Sequence, residues 1–134
     1  MTITSFDDLL RAARQQAEPQ RLLFVFARTE LPEGASPEEA RRFEEGRGGA
    51  LAPVMFVDKK ADEIVSLTAL VEESRHTGQQ WDLVFVGCLG GRNGRQPADE
   101  EVQQALETMV KSVQGGKVPH LLAYRQNGEQ LSFS

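Results

Sequence analysis

Hydrophobic positions along this chain switch between two periods, and the switching predicts helices and strands in alternation. From Ser5 to about Gln16, Phe6, Leu9, Leu10 and Ala13 fall at i, i+3, i+4 and i+7, one face of a helix. Ser5 with Asp8 three residues on resembles a capping box with Asp in the usual Glu position, and Pro19 breaks the helix. Arg21-Leu-Leu-Phe-Val-Phe-Ala27 is then apolar almost throughout, the pattern of a strand covered on both faces, as in a parallel sheet. Ser36-Pro-Glu-Glu39 is a strong helix start, with a hydroxyl N-cap, Pro at N1 and Glu at N3. That helix runs to about Glu45, offers only Ala40 and Phe43 to a core, and gives way to a loose stretch at Gly46, Gly48 and Gly49.

Pro53-Val-Met-Phe-Val57 reads as a second strand, and about Ala61 to His76 as a helix carrying Ile64, Leu67, Leu70 and Val71 inward. Asp82-Leu-Val-Phe-Val-Gly-Cys88 is the clearest strand, followed by a glycine-rich loop from Leu89 to Pro97. The helix from about Asp99 to Val113 sets Val102, Ala105, Leu106, Met109, Val110 and Val113 on one stripe and stops at Gly115-Gly116. Val118 to Tyr124 and Gln130 to Phe133 flank Asn127-Gly128, the dipeptide most typical of a tight hairpin. The order is αβαβαβαββ. Helix-bearing connections between strands are what parallel crossovers require. The expected fold is a single α/β domain over residues 1–134: a mixed, largely parallel sheet of four or five strands, helices packed on it, and a C-terminal hairpin.

Composition removes several functions. At 40% hydrophobic and 26% charged the chain is ordinary globular material. Fifteen basic against twenty acidic residues leave a net charge of -5, with the arginines spread along the chain. Nucleic-acid binding rests on a basic face, so it is not expected, and neither is an anionic membrane surface. No apolar run approaches the roughly 20 residues that span a bilayer, and the N-terminus lacks the layout of a signal peptide. The single cysteine, Cys88, allows no internal disulfide and suits a reducing compartment, so a cytoplasmic location is the expectation.

Three stretches resemble a known family: Phe6-Asp-Asp-Leu-Leu-Arg-Ala-Ala-Arg14, Gly49-Ala-Leu-Ala-Pro-Val-Met-Phe-Val-Asp-Lys59, and Trp81-Asp-Leu-Val-Phe-Val86 with the loop after it. They are similar to a small proteobacterial family often labelled ribonucleotide reductase subunit alpha, and the similarity runs over nearly the whole chain. The label implies a reductase, whose large subunit needs several redox and radical cysteines and a barrel of several hundred residues. One cysteine in 134 residues is incompatible with that chemistry, so no catalytic residue is carried over.

In open α/β sheets, ligands bind beyond the carboxyl ends of parallel strands. With the strands above, that edge would collect Arg28 and Thr29, then Asp58 and Lys59, then Cys88 with Arg92, Asn93 and Arg95. The loop Gly87 to Arg95 could wrap an anion with backbone N–H groups and two guanidinium forks, or be a flexible surface loop. It has neither GxxxxGK[ST] nor GxGxxG, and Asp99, Glu100 and Glu101 open the next helix with negative charge. Cys88 is either a reactive thiol, if Arg92 or Arg95 lowers its pKa, or an inert cysteine ending an apolar strand. Asp58 is either a ligand group or the cap of the following helix. His76 suits a helix end, and with His120 and Cys88 it makes a poor metal set. No cofactor or metal is expected. The leading expectation is a non-enzymatic binding or accessory module, with a protein partner or self-association. The alternatives are a small-ligand protein or modest enzyme at the strand ends, handling an anion or nucleotide, and a single-thiol redox protein.

Overall fold

The structure, a computed structural model, describes residues 3–31, 33–45, 50–118 and 121–131. Its order is α1 (Phe6–Arg14), β1 (Gln20–Glu30), α2 (Pro37–Glu44), β2 (Ala50–Lys60), a 3-10 turn (Ala61–Glu63), α3 (Leu67–Arg75), β3 (Leu83–Gly90), α4 (Asp99–Gln114), β4 (Leu122–Arg125) and β5 (Gln130–Leu131). The five strands form one sheet in the order β2-β1-β3-β4-β5.

Every neighbouring pair in that sheet is antiparallel. The expectation of a largely parallel sheet is therefore corrected. A helix-bearing connection is necessary for a parallel crossover, but it does not forbid an antiparallel return. Between β1 and β2 the chain carries α2, which contributes no buried residue, and it comes back beside the strand it left. β2 and β3 do run the same way, but β1 lies between them and opposes both.

The apolar run of β1 has a different cause from the one expected. Leu22, Phe24 and Phe26 pack under α1 and α3 with Val84, Val86, Trp81 and Tyr124. Leu23, Val25 and Ala27 pack under α4, against Leu83, Phe85, Val102, Leu106, Met109 and Val113. Both faces of the central strand are covered, so both must be apolar, whichever way its neighbours run. On the first face Phe6 meets Tyr124 edge-on at 5.5 Å and Phe26 meets Trp81 at 5.0 Å. Trp81 Nε1 donates to Ser74 Oγ at 2.9 Å, which partners the one indole N–H inside that core.

Several boundaries also move. The helix expected over 61–76 is a 3-10 turn followed by α3, whose cap is Ser66 accepting from the Ala69 N–H. The second strand, expected over Pro53–Val57, extends over Ala50–Lys60, with Ala50 to Ala52 paired with Glu30 to Arg28. The Asn127-Gly128 turn joins β4 to β5, with Gly128 at φ +93° and its N–H donating to the Arg125 carbonyl. Gly46, Gly48, Gly49, His120 and Phe133 lie outside the described residues.

Candidate functional site

Reversing β1 divides the expected constellation between the two ends of the sheet. Asp58, Lys59 and Cys88 cluster beside the start of β1, where Leu23 faces Asp58 and Leu22 faces Lys59 on one side and Cys88 on the other. Arg28 pairs with Ala52 at the far end of β1, away from that cluster. The cation that stands near Asp58 is Arg21, which the strand-end argument did not select. Its Nη1 lies 2.7 Å from Asp58 Oδ2 and its Nε donates to Gln96 Oε1 at 3.1 Å. Arg21 alternates with Leu23 and Val25, a polar residue on the α4 face where the core gives out; that phase was readable, but its partners at 58 and 96 were not.

The remaining members are separated by faces. Lys59 points to the α3 side, with Nζ 2.9 Å from Glu73 Oε1, whereas Asp58 points to the α4 side. Asp58 lies within β2 and caps no helix. Cys88 is exposed, and packing around its sulfur pushes the thiol up from its ordinary pKa. Neither Arg92 nor Arg95 acts in the opposite sense, so the geometry gives no activated thiolate.

The glycine-rich loop is a tight turn. Arg92 and Arg95 exchange both backbone hydrogen bonds, at 3.0 and 2.9 Å, across Asn93 at φ 53° and Gly94 at φ 76°. Two successive positive φ values are the signature of an Asn-Gly hairpin turn, so the rule that located 127–128 also applies at 93–94. Gly91 is obligatory here, because a Cβ on it would lie 1.7 Å from the Arg95 carbonyl oxygen. The turn does hold an anion, and it is internal: the Gly94 N–H donates to Glu18 Oε2 at 2.9 Å. Arg92 is 77% exposed at its side chain and reaches Glu101 at 3.1 Å. Below the turn, a cleft of about 320 Å³ is lined by Arg14, Glu18, Gln20, Asp62 and Gln96. The Arg14 guanidinium there is engaged by the Ala61 and Ile64 carbonyls.

A second region carries the apolar surface. β2 is the outermost strand on its side of the sheet, and among the described residues nothing pairs with its outer edge. Phe56, opposite Val25 on the α4 face, is 54% exposed. On the other face, a groove of about 280 Å³ between β2 and α3 is lined by Phe26, Met55, Val57, Leu70, Ser74 and Thr77. Its rim is the Lys59–Glu73 pair. Pro53 and the register shift between Phe26 and Ala27 interrupt the edge toward its start.

Among the described residues no three His, Cys, Asp or Glu side chains stand close enough to hold a metal ion. None of their helices is long and apolar enough to cross a membrane. No protein-family model, curated protein or solved structure matches this chain.

Proposed function

We propose that this chain is a protein-binding module whose working surface is the outer edge of β2, and that it acts by strand addition rather than by catalysis. One observation carries the reading: an eleven-residue edge strand with no partner on its outer side among the described residues, bearing a half-exposed phenylalanine beside an apolar groove. An added strand would satisfy the outward-facing backbone N–H and C=O groups of β2, and alternate side chains would sit over the groove and over Phe56. Long free edges with apolar residues are normally shielded, and among the described residues the shielding here is Pro53 with its bulge and Lys59-Lys60. Val54 to Asp58 are the open window between them. The strand-end residues Arg21, Asp58, Lys59, Arg92 and Glu18 are engaged with one another or with Gln96, Glu73, Glu101 and Gly94, an arrangement that favours a supporting role. Excess acid over base favours a protein over a nucleic acid as the partner, and the lone cysteine fits a cytoplasmic setting.

The test is selection from a display library of unstructured peptides on the full chain. Strand addition predicts binders with apolar residues at alternate positions. Their binding should be lost in Phe56→Lys, a variant that adds charge to an exposed edge position without touching the core. Binders that ignore this change, or no binders at all, would remove the β2 edge from consideration.

A further inference from the structure

We propose that the groove between β2 and α3 binds a small amphipathic carboxylate, a free alkyl monocarboxylate whose tail lies in the groove and whose head is held by Arg28. The inference goes beyond strand addition and needs no strand on the β2 edge.

The groove accounts for the tail. It runs beside β2 from Lys59 to Met55, roughly 13 Å at about 3.3 Å per residue. Its volume, about 280 Å³, is at the lower end of small-molecule sites. Phe26, Met55, Val57 and Leu70 give it apolar walls. The polar side chains that line it are already engaged. Ser74 Oγ donates to the Val71 carbonyl at 2.6 Å and accepts from Trp81 Nε1. Thr77 Oγ1 donates to the Ser74 carbonyl at 2.7 Å, and Lys59 pairs with Glu73. A polar group placed inside the groove would lose water and find little in return, whereas a narrow apolar track suits an extended alkyl chain.

Charge fixes the head. Arg28 follows Phe26 by two residues on β1, so it shares the groove's face of the sheet, and it pairs with Ala52 where Phe26 pairs with Met55. Val54, the residue added by the register shift, packs on that face too and carries the apolar track from Met55 toward Arg28. Successive residues on one face of a strand lie about 7 Å apart, within reach of an arginine side chain, and Ala52 offers only a methyl in the way. Arg28 is exposed, and among the described residues no carboxylate pairs with it. Asp82, which precedes β3 beside it, accepts instead from the Thr29 N–H and hydroxyl at 2.8 and 3.2 Å. The groove thus has a neutralised pair at one end and an unpaired guanidinium past the other. That polarity matches an apolar chain with one terminal carboxylate, gripped by two N–H donors of the guanidinium fork. α3 ends beside Met55, where the Thr77 and Gly78 N–H groups cap the Ser74 and Arg75 carbonyls, which weakens the repulsion of an anion there.

Calorimetric titration of the full chain with hexanoate, octanoate and decanoate, each kept below micelle formation, tests this. Affinity should rise about fourfold for each added methylene until the groove is filled. 1-Octanol should bind about tenfold more weakly than octanoate. Arg28→Gln should remove that difference with an unchanged melting temperature, because the side chain is exposed, and Arg28→Lys should retain part of it. In amide NMR spectra decanoate should shift Met55, Val57, Leu70 and Thr77 and leave α4 unmoved. Absence of binding overturns the proposal. So do equal affinities for octanol and octanoate, an Arg28→Gln variant that binds like the wild type, or shifts centred outside the groove. Attachment to phosphatidylserine vesicles without binding of the free acids overturns it as well. Peptide binding at the β2 edge is read with Phe56→Lys and does not depend on Arg28, so either reading can fail alone.

Discussion

Arg21 on β1 reaches diagonally across the ladder to Asp58 on β2, with 2.7 Å between Nη1 and Oδ2 and side chains only 12% and 28% exposed. A second bond, to Gln96, ties the same guanidinium to the segment leading into α4. Arg21→Met should therefore cost about 1–3 kcal/mol, because Asp58 and Gln96 lose a charged partner in partly buried surroundings. A double-mutant cycle with Asp58→Asn should give a coupling of about 0.5 kcal/mol or more by denaturant unfolding. Strict additivity would mean that the pair is incidental.

Leu106 is buried to 1% exposure on the α4 stripe, against the sheet. Leu106→Ala should lower stability by roughly 2–5 kcal/mol, as core truncations do. A loss under about 0.5 kcal/mol would show that α4 does not pack as described.

Tyr124 is the chain's one tyrosine, fully buried, with its hydroxyl donating to Gln130 Oε1 at 2.8 Å. Burial, then the charges of Asp8 and Cys88, push its phenol up to about 12. An unfolded tyrosine ionises near 10. Between those values the unfolded chain has released a proton that the folded chain still holds, so stability falls as pH rises from about 10 toward 12. Below that window Tyr124 contributes no pH dependence. Phenolate absorbance reports this one residue, and a midpoint near the ordinary value in folded protein would contradict its burial.

Glu18 already occupies the Gly94 N–H that an external anion would need. Millimolar phosphate or nucleotide should then leave the wild-type melting temperature unchanged, and Arg92→Gln with Arg95→Gln should change nothing in that response. Bound ligand at about 100 times its Kd would add about 2.7 kcal/mol, which a thermal shift detects easily. A clear shift abolished by the two changes would restore the loop as an anion site.

α2 is held by its own capping box, Ser36 with Glu39, and buries no side chain. Its amides should exchange much faster than those of β1 and β3, whose residues lie in the core. Protection of residues 37–44 in a dilute monomer would show that α2 has a docking partner.

Local signals in the sequence were reliable where a short stretch decides its own structure. Ser5, Ser36 with Pro37, the α4 stripe and Asn127-Gly128 each act within a few residues, and each is found in the expected role. Strand direction was not legible because it depends on where a connection lands, and the α2 segment carries no apolar face that would commit it to crossing the sheet. The apolar run of β1 was read correctly as covered on both faces and wrongly as parallel, since coverage comes from helices on either side of any central strand. That single reversal separated Arg28 from Asp58 and put Arg21 in its place. The β2 edge was missed for another reason: Phe56 is one of several large apolar residues in Val54 to Val57, and only position in the sheet makes it exposed.

The central place of β1 also sets the order in which the molecule can assemble. Arg21 waits for Lys60, and Gln20 for Gly90, before the strand has either neighbour. During synthesis its apolar residues emerge long before anything can cover them, and α1 can shield only one side. High-separation pairing of this kind slows folding and lengthens the time a sticky segment is exposed. Arg21 at one end and Arg28 and Glu30 at the other flank Leu22 to Ala27 with charge, the placement that opposes aggregation of an exposed apolar segment.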